Sequence, residues 1–149
     1  MPKKTIIIGI GNFIMKDEGV GIHAVQKLFE TSLPQDVEVM DGGTDAMDLL
    51  SVFQTFERII VIDALKAGGE PGTIYRVTPE EIMEDPKRPL SLHEMGLLDV
   101  LLMARQLGGH GEVVIIGVEP KEIACSIDLT PEVKATLPKV VDAAIAEAI

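Results

Sequence analysis

Short runs of apolar residues alternate along the chain with stretches in which apolar residues recur at three- and four-residue steps. The first pattern is typical of buried strands and the second of helices. The predicted strands are Thr5–Ile10, Val37–Asp41, Arg58–Asp63, Thr73–Val77 and Val113–Val118. This alternation predicts a three-layer α/β fold, in which a largely parallel, twisted sheet of about five strands is flanked by helices.

The clearest strand is Arg58–Asp63, because its β-branched centre, Ile59–Ile62, suits a strand that is buried on both faces of a parallel sheet. The strand Thr73–Val77 follows a turn-rich connection and is expected to run antiparallel. The charged stretch Val77–Arg88 is expected to be a solvated face. Helices are predicted from about Gly19, from about Asp45, over Glu94–Leu107 and over Pro131–Ala148.

Composition limits the class of protein. The chain has 149 residues, of which 46% are hydrophobic, and this is enough apolar material for one domain spanning 1–149. Its net charge of −11 disfavours a surface for nucleic acid or anionic membranes, since both require clustered cations. Most of the acid excess is therefore interpreted as solvated surface.

Cys125 is the only cysteine, so a disulfide-stapled secreted scaffold is excluded. The apolar run after Lys4 is short, which favours a buried strand over a signal peptide. No apolar stretch approaches the roughly 20 residues that a membrane span needs. These features predict a cytoplasmic location.

Polar residues stand where the predicted strands end, at the edge where open α/β sheets bind ligands. A lone carboxylate there is usually a turn former or a helix cap, and a lone histidine usually packs. The joint occurrence of two carboxylates and an imidazole is more informative, because mixed oxygen and nitrogen ligands suit a divalent metal such as zinc or nickel. The edge carries three carboxylates, Glu18, Asp41 and Asp63, together with the imidazole of His93, which lies in a loop before a helix.

Taken in chain order, these motifs resemble those of the hydrogenase maturation proteases, the endopeptidases that trim a C-terminal extension from the large subunit of nickel–iron hydrogenase. The resemblance covers nearly the whole chain. The matching pieces are Gly9–Asn12, Asp17–Gly21, Asp41–Thr44, Asp63–Ala64, Ser91–His93 and Gly117–Pro120.

The resemblance implies that Glu18, Asp63 and His93 contact nickel already inserted in the precursor, so that the metal arrives with the substrate. Zinc or cadmium could occupy the same site in the isolated protein, and whether the free protein holds metal stays open. Asp41 matches an acidic residue needed for activity, and whether it acts as general base or as anchor stays open. The implied substrate loops contain Asn12, Gly42, Gly43 and Thr44. The implied partner is the hydrogenase large-subunit precursor.

Two other functions are compatible with parts of this sequence. A non-enzymatic nickel chaperone would bind the metal through the same ligands and leave the precursor uncut. A nucleotide-binding module is the other, because Gly19, Gly21 and Ala24 fit the G-x-G-x-x-A pattern. That fingerprint should follow its strand at once, whereas Phe13–Glu18 intervene here.

Overall fold

The computed structural model describes residues 4–84 and 92–149, apart from the side chains of residues 46 and 92–95. Their strands form one five-stranded sheet in the order β2-β1-β3-β5-β4. Strands β1, β2, β3 and β5 are parallel, and β4 pairs antiparallel with β5, as the sequence predicts. The strands are β1 (Thr5–Ile10), β2 (Val37–Gly43), β3 (Arg58–Ala64), β4 (Ile74–Val77) and β5 (Glu112–Val118).

The helices cover both faces of this sheet. They are α1 (Val20–Phe29), α2 (Leu50–Thr55), α3 (Pro79–Glu84), α4 (Leu92–Gln106), α5 (Pro131–Lys134) and α6 (Leu137–Ala148). Short 3₁₀ turns, Lys16–Gly19 and Ala46–Leu49, precede α1 and α2. Among the residues described, no helix is long and apolar enough to span a bilayer.

Side-chain alternation along the strands produces two apolar layers. Ile6 and Ile8 of β1 pack under α2, α3 and α4, whereas Ile7 packs under α1, α5 and α6. Ile7 and Ile8 are fully buried. Burial of such a side chain contributes about 1.5–3 kcal/mol, so the sheet and its two layers hold the strand ends in fixed positions.

Two predictions about elements are wrong. The stretch expected to be a solvated face contains α3, whose Ile82 is buried in the core against α4. Its two buried residues, Pro79 and Ile82, are too few to produce a visible period in the sequence. The predicted C-terminal helix is broken into α5 and α6 around Ala135 and Thr136.

Candidate functional site

The parallel strands end at one edge of the sheet, and this edge carries most of the polar residues singled out by the sequence. Asp41 lies in the last part of β2, and Asp63 is the penultimate residue of β3. The 3₁₀ turn that contains Glu18 follows β1 and leads into α1. The common direction of these strands therefore gathers the carboxylates at one end of the molecule.

The backbone of Glu18 and the carboxylate of Asp63 both lie close to Gly11. A Cβ placed on Gly11 would lie 2.1 Å from the Glu18 carbonyl oxygen and 3.5 Å from Asp63 Oδ1. Gly11 also has φ +136°, a conformation that L side chains rarely adopt. A glycine here lets the Glu18 turn fold back over the end of β1 and come close to Asp63.

Two further glycines fix the position of α1 over the sheet. A Cβ on Gly21 would lie 2.3 Å from the carbonyl oxygen of Ile62, and one on Gly9 would lie 2.1 Å from that of Gly21. The start of α1 therefore rests directly on the backbones of β1 and β3. This contact explains the glycine spacing that resembled a nucleotide fingerprint.

Asp63 occupies the face of the sheet covered by α2, α3 and α4. It is 5% exposed, and its Oδ1 accepts a hydrogen bond of 2.8 Å from the backbone N–H of Ala64. With Ile82 and Leu97, among others, it lines a small apolar cavity of about 10 Å³. One side of the carboxylate therefore faces apolar surroundings, where a charge needs a partner.

Asp41 lies apart from this pair. It is paired in register with Gly9, which is paired in turn with Ile62 of β3. Asp41 is thus two strands from Asp63, a backbone separation of roughly 10 Å. By strand alternation, its side chain leaves the sheet on the face covered by α1, opposite to that of Asp63. Its Oδ1 accepts a hydrogen bond of 2.9 Å from Gly43 N–H.

His93 falls within α4, whose first residue is Leu92, and not in a loop as predicted from the sequence. Its side chain and Ser91 lie outside the described residues. Further along, Leu97 and Leu98 of α4 pack on the same face of the sheet as Asp63. The backbone of α4 therefore begins over the layer to which Asp63 belongs.

The predicted substrate-loop residues mainly shape the backbone. Asn12 Oδ1 accepts a hydrogen bond from Ile14 N–H at 3.2 Å and so forms a turn after β1. Gly42 lies at a register shift of β2 and packs against Ile8 and Ile10. Gly43 has φ +61° and faces open space, and Thr44 is exposed beside it.

Asp17 is a key residue that sequence reasoning passed over. It is fully buried and accepts hydrogen bonds from the backbone N–H groups of Lys121, Glu122 and Thr130, as well as from the Thr130 hydroxyl. Burial acts to raise the pKa of Asp17, but these hydrogen bonds outweigh it and hold the pKa below its ordinary value. The carboxylate ties the turn that carries Glu18 to the loop after β5.

Glu119 is a second buried carboxylate with a positioning role. It is 6% exposed, and its Oε1 accepts hydrogen bonds from Ala67 N–H, Gly69 N–H and the Tyr75 hydroxyl. Burial, together with the bond to Glu119, raises the pKa of Tyr75 above its ordinary value. Glu119 thereby fastens the loop that follows Asp63. A polar residue directly after an apolar strand was the only sequence signal for this role.

His23 of α1 packs against the loops after β1 and β5. Its ring stacks on Phe13 with centroids 4.9 Å apart, and its Nε2 lies 3.1 Å from the Ile127 carbonyl oxygen. Burial lowers the pKa of His23 below its ordinary value, so the ring is neutral near pH 7. A neutral ring that donates to a carbonyl has a packing role here.

No group of three His, Cys, Asp or Glu residues close enough to hold a metal ion occurs among the side chains that the structure describes. Of the predicted set, Glu18 and Asp63 are the members whose side chains the structure describes. Two carboxylates would be an incomplete ligand set for a resident zinc ion, which takes four ligands, but they would suit a metal that brings its own ligands.

A wider hollow of about 540 Å³ lies at the opposite edge of the sheet. Three arginines line it, and each forms an ion pair. Arg58 pairs with Glu112 and Glu147, Arg76 pairs with Glu147, and Arg105 pairs with Glu80. Because these ion pairs neutralise the arginines, the hollow offers an anion little net attraction. It also lies at the opposite ends of the parallel strands from Glu18 and Asp63.

Replacing Gly11 with alanine is expected to destabilise the fold by roughly 2–5 kcal/mol, from backbone strain together with overpacking against Glu18. Urea unfolding measures this change. Gly68→Ala is the matched control, because Gly68 has φ +86° but faces open space, so that only about 1–2 kcal/mol of strain remains. Equal losses in the two variants would contradict a close approach of Glu18 to Gly11.

The chain matches the family model for hydrogenase maturation protease over residues 22–147. It is 33% identical over 137 residues to hydrogenase 2 maturation protease of Escherichia coli, an alignment that covers 90% of this chain and 84% of that protein. It is also 32% identical to the HupD hydrogenase expression/formation protein of Rhodobacter capsulatus, over 99% of this chain and 70% of that protein.

Solved structures give the same result. The fold is similar to that of the hydrogenase maturating endopeptidase HybD from E. coli, with a TM-score of 0.87, 32% identity and coverage of 96% of this chain and 90% of that one. The fold is also similar to that of the NiFe hydrogenase maturation protease HybD from Thermococcus kodakarensis, with a TM-score of 0.83, 34% identity and coverage of 98% of this chain and 99% of that one. By sequence and by fold, the chain belongs to the hydrogenase maturation protease family.

Proposed function

We propose that this protein removes the C-terminal extension of a nickel-loaded hydrogenase large-subunit precursor and recognises the nickel through Glu18, Asp63 and His93. As a member of its family, the chain is a peptidase. The observation that carries the finer proposal is that the backbone of Glu18 and the carboxylate of Asp63 both lie close to Gly11, at the carboxyl ends of the parallel strands. Two carboxylates leave room for a metal that keeps most of its ligands from the substrate.

The contribution of these residues is positioning. Nickel held in the precursor would be contacted by the two carboxylates and the imidazole, and this contact would fix the scissile peptide over the sheet edge. Asp17 and Gly11 keep the Glu18 turn in place, and Glu119 keeps the loop after Asp63 in place. A preformed site of this kind reduces the cost of ordering the substrate.

Asp41 is the proposed catalytic residue. Its Oδ1 accepts the hydrogen bond from Gly43 N–H, whereas no hydrogen bond reaches its Oδ2 from the part of the chain that the structure describes. An exposed carboxylate oxygen of this kind can take a proton from an attacking water. Because Asp41 is two strands from Asp63, metal recognition and proton transfer are assigned to separate places on the edge.

Purified protein is expected to shorten nickel-loaded precursor and to leave nickel-free precursor intact, because the metal is the recognition element. Intact-mass measurement of the two precursors after incubation tests this. Glu18→Gln is expected to slow cleavage of the nickel-loaded precursor mainly by raising KM. Glu57→Gln, which lies at the amino ends of the parallel strands, serves as the control. Equal shortening of the nickel-loaded and the nickel-free precursor would refute recognition of nickel. Unchanged masses for both precursors would favour the chaperone alternative.

We also retain the prediction of a cytoplasmic location. Cys125 is exposed and unpaired, and an exposed thiol persists in a reducing compartment. Fractionation of cells that express the protein would test the prediction.

A further inference from the structure

The outer edge of β2 presents backbone groups that are available for pairing. β2 is the first strand of the sheet and, within residues 4–84 and 92–149, pairs only with β1. Thr5 N–H donates to the Asp36 carbonyl at 3.2 Å, which sets the phase of the parallel ladder. In that phase Glu38 and Met40 bond to β1, whereas the N–H and C=O groups of Val39 and Asp41 point outward.

This edge leads directly to the proposed catalytic residue. Asp41 is the last residue of β2 in regular register, because the pairing shifts at Gly42. Gly43 then takes a left-handed conformation and faces open space. A chain laid along the outer edge would therefore pass the Asp41 carboxylate just where the strand ends and the surface opens.

The charge of the edge favours one kind of occupant. No Lys or Arg occurs between Lys27 and Arg58, and β2 lies within this stretch. The carboxylates of Asp36 and Glu38 are exposed along the strand. An unpaired edge of negative charge attracts an extended segment that carries basic side chains and disfavours an acidic one.

We propose that the segment of the precursor around the cleavage site binds as an added strand on the outer edge of β2, with basic side chains beside Asp36 and Glu38. This inference rests on the proposed function and adds to it the backbone that holds the substrate. Hydrogen bonds to Val39 and Asp41 provide sequence-independent affinity, as in other cases of strand addition. They also hold the peptide extended, and an extended peptide exposes its scissile carbonyl to Asp41.

Hydrogen exchange measures the pairing without any cleavage. In the protein alone, the Val39 and Asp41 amides should exchange quickly, and the Glu38 and Met40 amides slowly. Addition of a synthetic peptide that spans the cleavage site of a hydrogenase large-subunit precursor should slow the exchange of Val39 and Asp41 at least tenfold. Peptide binding elsewhere, with both amides still exchanging quickly, would overturn the proposal. Loss of cleavage in the mass assay with this protection intact would instead refute the proposed function alone.

A proline variant tests the same bonds in catalysis. Val39→Pro removes an outward N–H and spares the ladder to β1, and proline is tolerated on such an edge. We expect KM for the precursor to rise at least tenfold with little change in kcat. The control is Ile74→Pro, which removes an outward N–H from β4 at the opposite edge and should leave KM unchanged. Equal KM values for Val39→Pro and wild type would overturn the proposal. If Val39→Pro does not fold, the hydrogen-exchange experiment on the wild-type protein tests the proposal instead.

The charge of the occupant is tested separately. Glu38→Lys should weaken binding of a basic cleavage-site peptide several-fold and make its affinity less sensitive to salt. Glu30→Lys, at the end of α1, makes the same change of charge away from the outer edge. Equal effects of the two variants would overturn the assignment of a basic segment.

Discussion

Asp17→Ala is expected to lower the free energy of unfolding by about 3–5 kcal/mol, a large fraction of the total of about 5–15 kcal/mol for a domain of this size. The substitution leaves three backbone N–H groups and the Thr130 hydroxyl without their acceptor in a buried place. Each unsatisfied donor costs about 1–3 kcal/mol, and water entering the space offsets part of the sum. Urea unfolding measures the loss.

Acid should reduce the effect of this substitution. The pKa of Asp17 is lower in the folded protein than its ordinary value of 3.8, so its contribution is fully present above that value and is lost as the pH falls through the folded pKa. The difference between wild type and Asp17→Ala should therefore shrink below about pH 3.8. Asp36→Ala, at an exposed carboxylate, should change stability by less than about 0.5 kcal/mol. A similarly small change for Asp17→Ala would contradict an anchoring role.

Asp41→Asn is expected to reduce kcat for precursor cleavage by about 10²–10⁴-fold, the range for loss of a general base. Asparagine retains an acceptor for Gly43 N–H, so the turn after β2 is preserved while the proton-accepting charge is lost. The rate of product formation under saturating nickel-loaded precursor measures the change, and thermal melting verifies the fold.

Asp45→Asn is the matched control for this experiment. Asp45 Oδ1 accepts a hydrogen bond of 3.0 Å from Met47 N–H two residues ahead, just as Asp41 does from Gly43. We expect cleavage by Asp45→Asn within about twofold of wild type, because both amide variants keep their turns. Full-rate cleavage by Asp41→Asn would assign Asp41 to anchoring and move the base elsewhere.

The outcome for Asp41→Asn also tests whether Asp41 and Asp63 have separate roles at the carboxyl ends of the strands. Asp41 and Asp63 leave the sheet on opposite faces, two strands apart. A carboxylate on one face therefore cannot substitute for one on the other without movement of a strand. The inferred strand addition is consistent with this division, because it would deliver the peptide to the β2 side, whereas the proposed nickel contacts lie near β1 and β3.

The sequence by itself determined the class of fold and the end of the sheet at which Glu18, Asp41 and Asp63 gather. Continuous β-branched runs such as Ile59–Ile62 allow only buried strands, and parallel strands necessarily end together. The bounds of β1, Thr5–Ile10, were predicted to the residue. The short helix α3 was not predicted, because its two buried residues, Pro79 and Ile82, stand among charged neighbours and leave no visible period.

Only the tertiary structure decided which carboxylates are buried within the fold and which are left accessible at the ends of the strands. Asp17 and Glu18 are adjacent in sequence, yet Asp17 is buried beneath hydrogen bonds from residues more than 100 positions away and Glu18 lies beside Gly11. Local pattern reports neither burial nor distant donors, because both arise when the loop after β5 closes over the loop after β1. The same reason separates Asp41 from Asp63: strand order and side-chain alternation, not spacing in the chain, place them on opposite faces of the sheet.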